Sequence, residues 1–344
     1  MRILITCDPE LPVPPGLYGG VERIVDIVVR GIRTRGHAVG LVAHRDSTCA
    51  ADQHFAWPGL RSQDAGDDLR NTATLWRAVR EFRPHILHSF SRLLYMLPLY
   101  ASRLPKIMSY GRPPGFRQVR LASLLGGDAL NFTGCSEHIC NEGRRAGGAW
   151  HAIHNCVELE IYEYRPAVPP DAPLVFLSRV ERIKGAHTAI QVALKTGRRL
   201  LIAGNHGESG EEGRYWKGEI APYLGRNGIE YVGPVNDAQK NQLLGNAAAM
   251  IVPIEWDEPF GIVFAEALAC GTPVISCPRG ALPEIVRHGT DGFLVQSVAD
   301  ACLAVEKLPG LARLACRERV ERCFSAPMIV SKYEQLYASV VSNE

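Results

Sequence analysis

The feature that most restricts the fold of this chain is an alternation, run through twice, of short apolar segments with helix-length stretches. "RILIT" (2–6) has the pattern of a buried strand. "VERIVDIVVRGIRTRG" (21–36) then places Val21, Ile24, Val25, Val28, Val29 and Ile32 at spacings of three and four, as one helix face requires. "HAVGLVAH" (37–44) reads as a second strand. Strand, helix and strand in this order make a parallel βαβ unit, the usual seed of an α/β sheet.

"PHILHSFS" (84–91), "KIMSY" (106–110), "NFTGCS" (131–136) and "AIHN" (152–155) continue the first sheet. The proline-bearing "YRPAVPPDAP" (164–173) interrupts the pattern and is read as a linker. The alternation then restarts with "LVFLSRV" (174–180), "RRLLIAG" (198–204), "IEYVG" (229–233), "AAMIVPI" (248–254), "TPVISC" (272–277) and "GFLV" (292–295). The tail, "SAPMIVSKYEQLYASVV" (325–341), has a capping Ser325, an early Pro327 and one apolar face, so it reads as a closing helix. The expected organisation is therefore an N-terminal Rossmann-like domain over 1–163, a linker over 164–173 and a second Rossmann-like domain over 174–324. A helix over 325–344 would pack back toward the first domain. Ligands of open parallel sheets bind beyond the strands' carboxyl ends, which predicts a site in the cleft between the two halves.

At 344 residues the length suits two domains, and 46% hydrophobic with 22% charged residues is ordinary for a globular protein. A formal net charge of +2 gives no whole-molecule field for nucleic acid, so a charged ligand must be met locally. The ten cysteines are scattered without a CxxC pair, which argues against a zinc site. No secretory leader and no run of eighteen apolar residues is visible, and the expectation is a cytoplasmic protein with reduced thiols.

The segment "EWDEPFGIVFAEALACGTPVIS" (255–276) keeps a carboxylate at each end of an apolar run. A helix from near Phe260 to Gly271 puts Glu258 at its entrance and Glu266 about two turns in, roughly 9 to 12 Å along the axis. The amides of Phe260, Gly261 and Ile262 at that entrance suit an anion, and the glutamates could accept hydrogen bonds from hydroxyls on either side of it. The alternative is that Glu258 caps the helix and Glu266 is solvated on its outer face. Arg179, directly after a strand, and Lys184 suit a diphosphate, the first by forked hydrogen bonds and the second as a compact charge. A solvated basic loop is the competing explanation. In "PPGLYGGVER" (14–23), Gly19 and Gly20 before the first helix leave room for phosphate or sugar against the backbone, the alternative being a tight turn with no ligand. The G-x-G-x-x-G dinucleotide fingerprint is missing there, which disfavours a dehydrogenase.

In their order and placement these pieces resemble the retaining glycosyltransferases of family 4, the glycosyl transferases group 1 type with the GT-B fold. "EPFGIVFAE" matches the family's E-x7-E motif, Arg179 and Lys184 its basic pair, and Gly19 and Gly20 its double glycine; "GTPVIS" and "LPEIVRHGTDGFLV" match later pieces. The resemblance implies two Rossmann-like domains with parallel sheets facing a central cleft. It implies transfer of a sugar from a UDP- or GDP-type nucleotide sugar to an acceptor hydroxyl with retention, and no cofactor or metal. Glu258 would contact the donor sugar, Glu266 the ribose, and Arg179 and Lys184 the diphosphate. Val235, Asp237 and Lys240 match positions near the nucleotide base in some relatives.

Many relatives carry a histidine where this chain has Gly111. His88 stands here as the substitute candidate, with Tyr110 and Arg112 also on the acceptor side; a buried structural histidine is the alternative for His88. The acceptor is a glycan, a lipid-linked molecule or a small molecule. Arg112, Arg117 and Arg120 would face an anionic acceptor or a membrane surface; a solvated basic loop is the alternative. A nucleotide-sugar epimerase of the same fold and a non-catalytic nucleotide-sugar binding protein are the competing functions.

Overall fold

The computed structural model describes residues 1–16, 19–61 and 64–342; Leu17 and Tyr18 of the "PPGLYGGVER" stretch lie outside the described residues. The chain divides into two compact units, residues 1–155 with 326–344, and residues 156–325.

The first unit runs β1 (Arg2–Thr6), α1 (Gly20–Thr34), β2 (Ala38–Ala43), β3 (Gln53–Ala56), α2 (Ala65–Phe82), β4 (Ile86–Ser89), β5 (Lys106–Tyr110), α3 (Phe116–Gly126), β6 (Leu130–Gly134), α4 (Glu137–Arg144) and β7 (Ala149–Ala152). Its seven strands are ordered β3-β2-β1-β4-β5-β6-β7, and every pairing is parallel. Ile3, Leu4 and Ile5 have no exposed surface, as a strand covered on both faces requires. On α1 the residues Ile24, Val25, Val28, Val29 and Ile32 are buried, whereas Val21, in the first turn, is exposed.

Two strands differ from the sequence expectation. β3, "QHFA", was not anticipated because it is an edge strand whose one buried residue is Phe55, so it lacks an apolar run. β7 lies at Ala149–Ala152 rather than 152–155. Its register is set by Trp150, which stacks on Phe132 with centroids 4.8 Å apart and lies against Gly143, where a Cβ would come within 2.2 Å of the indole.

The second unit runs β8 (Leu174–Leu177), α5 (Ala186–Thr196), β9 (Leu200–Ala203), α6 (Gly210–Tyr215), β10 (Ile229–Gly233), α7 (Asp237–Gly245), β11 (Ala249–Val252), α8 (Ile262–Ala269), β12 (Val274–Ser276), α9 (Leu282–Ile285), β13 (Gly292–Leu294), α10 (Val298–Lys307) and α11 (Arg313–Cys323). Its six strands are ordered β10-β9-β8-β11-β12-β13, again all parallel.

The division does not follow the proline-rich stretch. Residues 156 to 173 belong to the second unit, because their backbone is tied into it. Val157 N donates to Phe324 O at 2.9 Å, and Arg313 Nε donates to Arg165 O at 2.7 Å. The Arg165 guanidinium in turn reaches Asn246 and Gln242, each at 3.0 Å. The prolines there mark an extended strap held by arginines, not a free linker.

α12 (Ala326–Ser342) returns to the first unit and packs on α1. Gly31 admits the approach: a Cβ there would lie 2.5 Å from Val330 Cγ2. Glu334 fastens the contact, accepting from Arg35 at 2.5 Å and meeting His37 Nε2 at 2.8 Å.

Candidate functional site

In the second unit the strand order reverses between β8 and β11, which pair directly. The chain leaves those two neighbours toward helices on opposite faces, opening a crevice at the strands' carboxyl ends where ligands of such sheets bind. The loop after β8 carries Arg179 and Lys184, and the loop after β11 carries Glu258.

One glycine and one backbone bond bring these loops together, and a second glycine and bond tie Glu258 to the loop after β12. Gly185 has φ 78°, and a Cβ on it would sit 2.1 Å from Pro253 O, so only glycine permits the contact. Glu255 N donates to Ile183 O at 2.8 Å. On the far side, Ala281 N donates to Glu258 O at 2.8 Å, and Gly280, at φ 57°, would drive a Cβ to 2.4 Å from Glu258 N.

Within this frame Lys184 Nζ donates to Glu258 Oε2 at 2.5 Å, with both side chains buried. The Trp256 indole donates to the same oxygen at 3.1 Å, and Lys184 Nζ lies 4.5 Å from the centre of the Trp256 ring. Glu258 therefore does not cap α8. A second carboxylate–lysine pair lies along the helix: Lys240 Nζ reaches Glu266 Oε1 at 2.7 Å and Asp237 Oδ1 at 3.2 Å. Glu266 is 6% exposed, so it is not a solvated residue of the outer face. Two ionised pairs this well covered need such partners, because an unpaired buried charge is strongly destabilising.

Arg179 stands apart from both pairs, half exposed, with its ion pair to Glu181 at 2.5 Å. Val235 lies between β10 and α7, half-buried. α8 begins at Ile262, two residues later than expected, because Gly261 adopts φ 80° as its N-cap while the Phe260 ring is buried against Phe324, 5.6 Å between centroids. Among the described residues no side chain caps α8, and the first amides of an uncapped helix suit an anion. Trp256 and Gly280 were not singled out from the sequence. The tryptophan inside "EWDEP" was the available signal; the glycine in "PRGALPE" gave none.

In the first unit Gly19 is the N-cap of α1 at φ 153°, where a Cβ would lie 2.7 Å from both Pro15 Cβ and Glu22 Oε2, and Gly20 opens the helix in an exposed position. The acceptor-side expectation for His88 is corrected by its surroundings. It has no exposed surface, its Nδ1 lies 2.6 Å from Tyr337 Oη, and its Nε2 lies 2.6 Å from Ser109 Oγ. Burial pushes its pKa down to about 3, so it is a neutral core imidazole. Tyr110 is half-buried against Trp150, 5.5 Å between centroids, and burial raises its phenol above the ordinary value. Arg112 is exposed, and at Gly111 a Cβ would touch only Val21, at 3.6 Å. Asp8, just past β1, went unnoticed in the sequence because a lone aspartate carries no pattern. Burial pushes its pKa up to about 6 against the pull of Arg112, and its Oδ1 is buried without a hydrogen-bond partner among the described residues.

Comparison with known proteins agrees with this architecture. A family model described as Glycosyl transferases group 1 matches residues 166–311, and one described as Glycosyltransferase Family 4 matches residues 18–161. The chain is 35% identical over 111 residues to N-acetyl-alpha-D-glucosaminyl L-malate synthase of Bacillus anthracis, a match covering 30% of this chain and 29% of that protein. The matched part thus spans under a third of the relative's length. Among solved structures, sucrose-phosphate synthase from Thermosynechococcus elongatus superposes with a TM-score of 0.78 at 19% identity, covering 100% of both chains. HepE of Anabaena in complex with UDP superposes with a TM-score of 0.77 at 18% identity, covering 98% of this chain and 100% of that one. The fold of the two units, each a parallel-sheet Rossmann-like domain, is that of these GT-B proteins.

Proposed function

The chain belongs to the family 4 glycosyltransferases, and from that membership and the site beside α8 we propose that it is a retaining hexosyltransferase. It moves a sugar from a UDP- or GDP-type nucleotide sugar to an acceptor hydroxyl. The observation that carries the reading is the pair of buried carboxylates along α8, each held by its own lysine. Glu258 accepts hydrogen bonds from the donor sugar, and Glu266 from the ribose. Lys184, Arg179 and the first amides of α8 receive the diphosphate, and Gly19 and Gly20 of the first unit leave room for phosphate or sugar against their own backbone. Val235, Asp237 and Lys240 lie toward the base.

The acceptor oxygen bonds to the anomeric carbon from the face the diphosphate leaves. The anomeric C–O bond breaks with its electron pair going to the diphosphate, whose oxygen takes the acceptor's proton. Negative charge grows on the leaving group, where fixed cations and amides lower the barrier most. Lys184 and Arg179 fill the charge-neutralising role, so the reaction proceeds without a metal. Tyr110, Arg112 and Asp8 serve the acceptor side. The ten cysteines, all free thiols, support a cytoplasmic setting. Among the described residues no helix is long and apolar enough to cross a membrane.

The test is a thermal-shift panel of UDP, GDP, ADP and TDP and their sugars, with and without EDTA, followed by an assay of nucleoside diphosphate release with hydroxyl acceptors, L-malate included. A ligand that binds only the folded protein raises its melting temperature. A shift with UDP or GDP that survives EDTA, and release that depends on the acceptor, is the expected result. Binding with sugar epimerisation, binding without turnover, or no shift at all would each overturn it.

A further inference from the structure

We propose that α3 and the 3-10 segment beside it form a docking surface for an anionic lipid bilayer. α3 turns Val119, Ala122 and Gly126 into the core of the first unit. A surface helix ordinarily carries polar residues on its opposite face. Here that face carries Leu121, 57% exposed, Leu124, 76% exposed, and Leu125, 48% exposed. Phe116 at the helix start is also exposed. The 3-10 segment Leu93–Leu99 packs against α3 and adds Leu94 and Leu97, both exposed. Single exposed leucines need no explanation, but a set of large apolar side chains gathered on two adjoining elements marks an interaction surface.

Charge selects the occupant. Residues 111–127 contain Arg112, Arg117 and Arg120 and no aspartate or glutamate. Arg117, Arg120, Leu121 and Leu124 follow one another at spacings of three, one and three, so cations and leucines share the outward face of α3. That is the composition of a helix lying in a membrane interface, apolar groups entering the acyl boundary while guanidiniums meet lipid phosphates. A two-fold contact with a second copy would bring the Arg117 and Arg120 cations of both copies into one interface with no carboxylate from residues 111–127 to offset them. The whole chain has a formal net charge of only +2, so the attraction is local to this face. The surface contains none of the residues assigned to the donor, so it stands independently of the sugar-transfer reading.

Co-sedimentation of the full chain with phosphatidylcholine vesicles and with mixed phosphatidylcholine–phosphatidylglycerol vesicles tests this. Binding to the mixed vesicles is expected to be at least ~tenfold tighter than to the neutral ones and to weaken as salt is raised. The triple substitution Leu121→Ser, Leu124→Ser and Leu125→Ser should reduce binding by at least ~tenfold. Arg117→Glu with Arg120→Glu should bring it down to the level of neutral vesicles. Both variants replace exposed side chains, and an unchanged melting temperature checks that each is folded. No binding to mixed vesicles, or equal binding by either folded variant, overturns the proposal. So does a concentration-dependent dimer in light scattering that the leucine variant abolishes, which would make the face a contact between copies.

Discussion

Lys184 Nζ lies 2.5 Å from Glu258 Oε2, although 74 positions separate the two residues in the chain. The loop after β8 and the loop after β11 each end at the same crevice, and the pair joins them across the reversal of strand order. On the proposed reading Glu258 takes the sugar and Lys184 the phosphate, and the two groups satisfy one another across the crevice. The donor would give each of them a new partner.

This coupling predicts an asymmetric response to mutation. Lys184→Met leaves Glu258 buried with the Trp256 indole as its one remaining side-chain donor among the described residues, and urea unfolding should show a loss of about 3 kcal/mol, the cost of an uncompensated buried charge. The double variant Lys184→Met with Glu258→Gln should regain much of that loss. In the assay Glu258→Ala should abolish transfer with only a modest loss of nucleotide affinity. Unaltered turnover would remove Glu258 from the site.

Glu266 is assigned to the ribose, which makes its contribution depend on the ribose hydroxyls. Glu266→Ala should weaken binding of the cognate nucleoside diphosphate by ~10- to 100-fold, the range for hydrogen bonds to a charged acceptor. Titration calorimetry with the 2′,3′-dideoxy nucleotide should show little difference between Glu266→Ala and the parent. An equal loss with both nucleotides would mean that Glu266 acts only by holding Lys240 in place.

His88 predicts an acid-labile first unit. Burial depresses its folded pKa to about 3, below the ordinary value near 6.5, so the folded state disfavours the protonated form. The stabilisation from keeping this ring neutral is present above about pH 6.5 and is lost progressively as pH falls toward 3. Between pH 7 and pH 5 that amounts to on the order of 2 kcal/mol. His88→Gln cannot titrate, and its urea-unfolding stability should fall less than the parent's over the same interval. Parallel pH profiles would show that His88 is not what titrates.

Much of the architecture was legible because parallel strands buried on both faces must be continuous apolar runs. Leu174–Leu177 is buried at every position, and its sequence says so without help. β3 was illegible for the converse reason: an edge strand with one buried residue need not be apolar. The tie of residues 156–173 to the second unit was hidden because arginines hold it. Arginines are ordinarily exposed, whereas Arg313 is 9% exposed and bonds four backbone carbonyls.

His88 shows where a local reading ends. Its position on a strand beside polar residues matched an acceptor-pocket residue as well as a core one. Ser109 on β5 and Tyr337, 249 positions later on α12, enclose it as a core residue.

The sequence by itself determined the kind of molecule: periodicity dictates two parallel α/β sheets, and the glutamates, the lysine and the glycines carry the marks of a family that handles nucleotide sugars. Tertiary structure alone decided which charges meet. Lys184 with Glu258 and Lys240 with Glu266 are pairs that spacing cannot reveal, as Arg179 shows by pairing with Glu181 instead. The physical reason is that apolar periodicity follows from short-range geometry repeated every few residues. The partner of a buried charge depends on which strand lies beside which, and on the few places, such as Gly185 against Pro253, where two loops can close to contact.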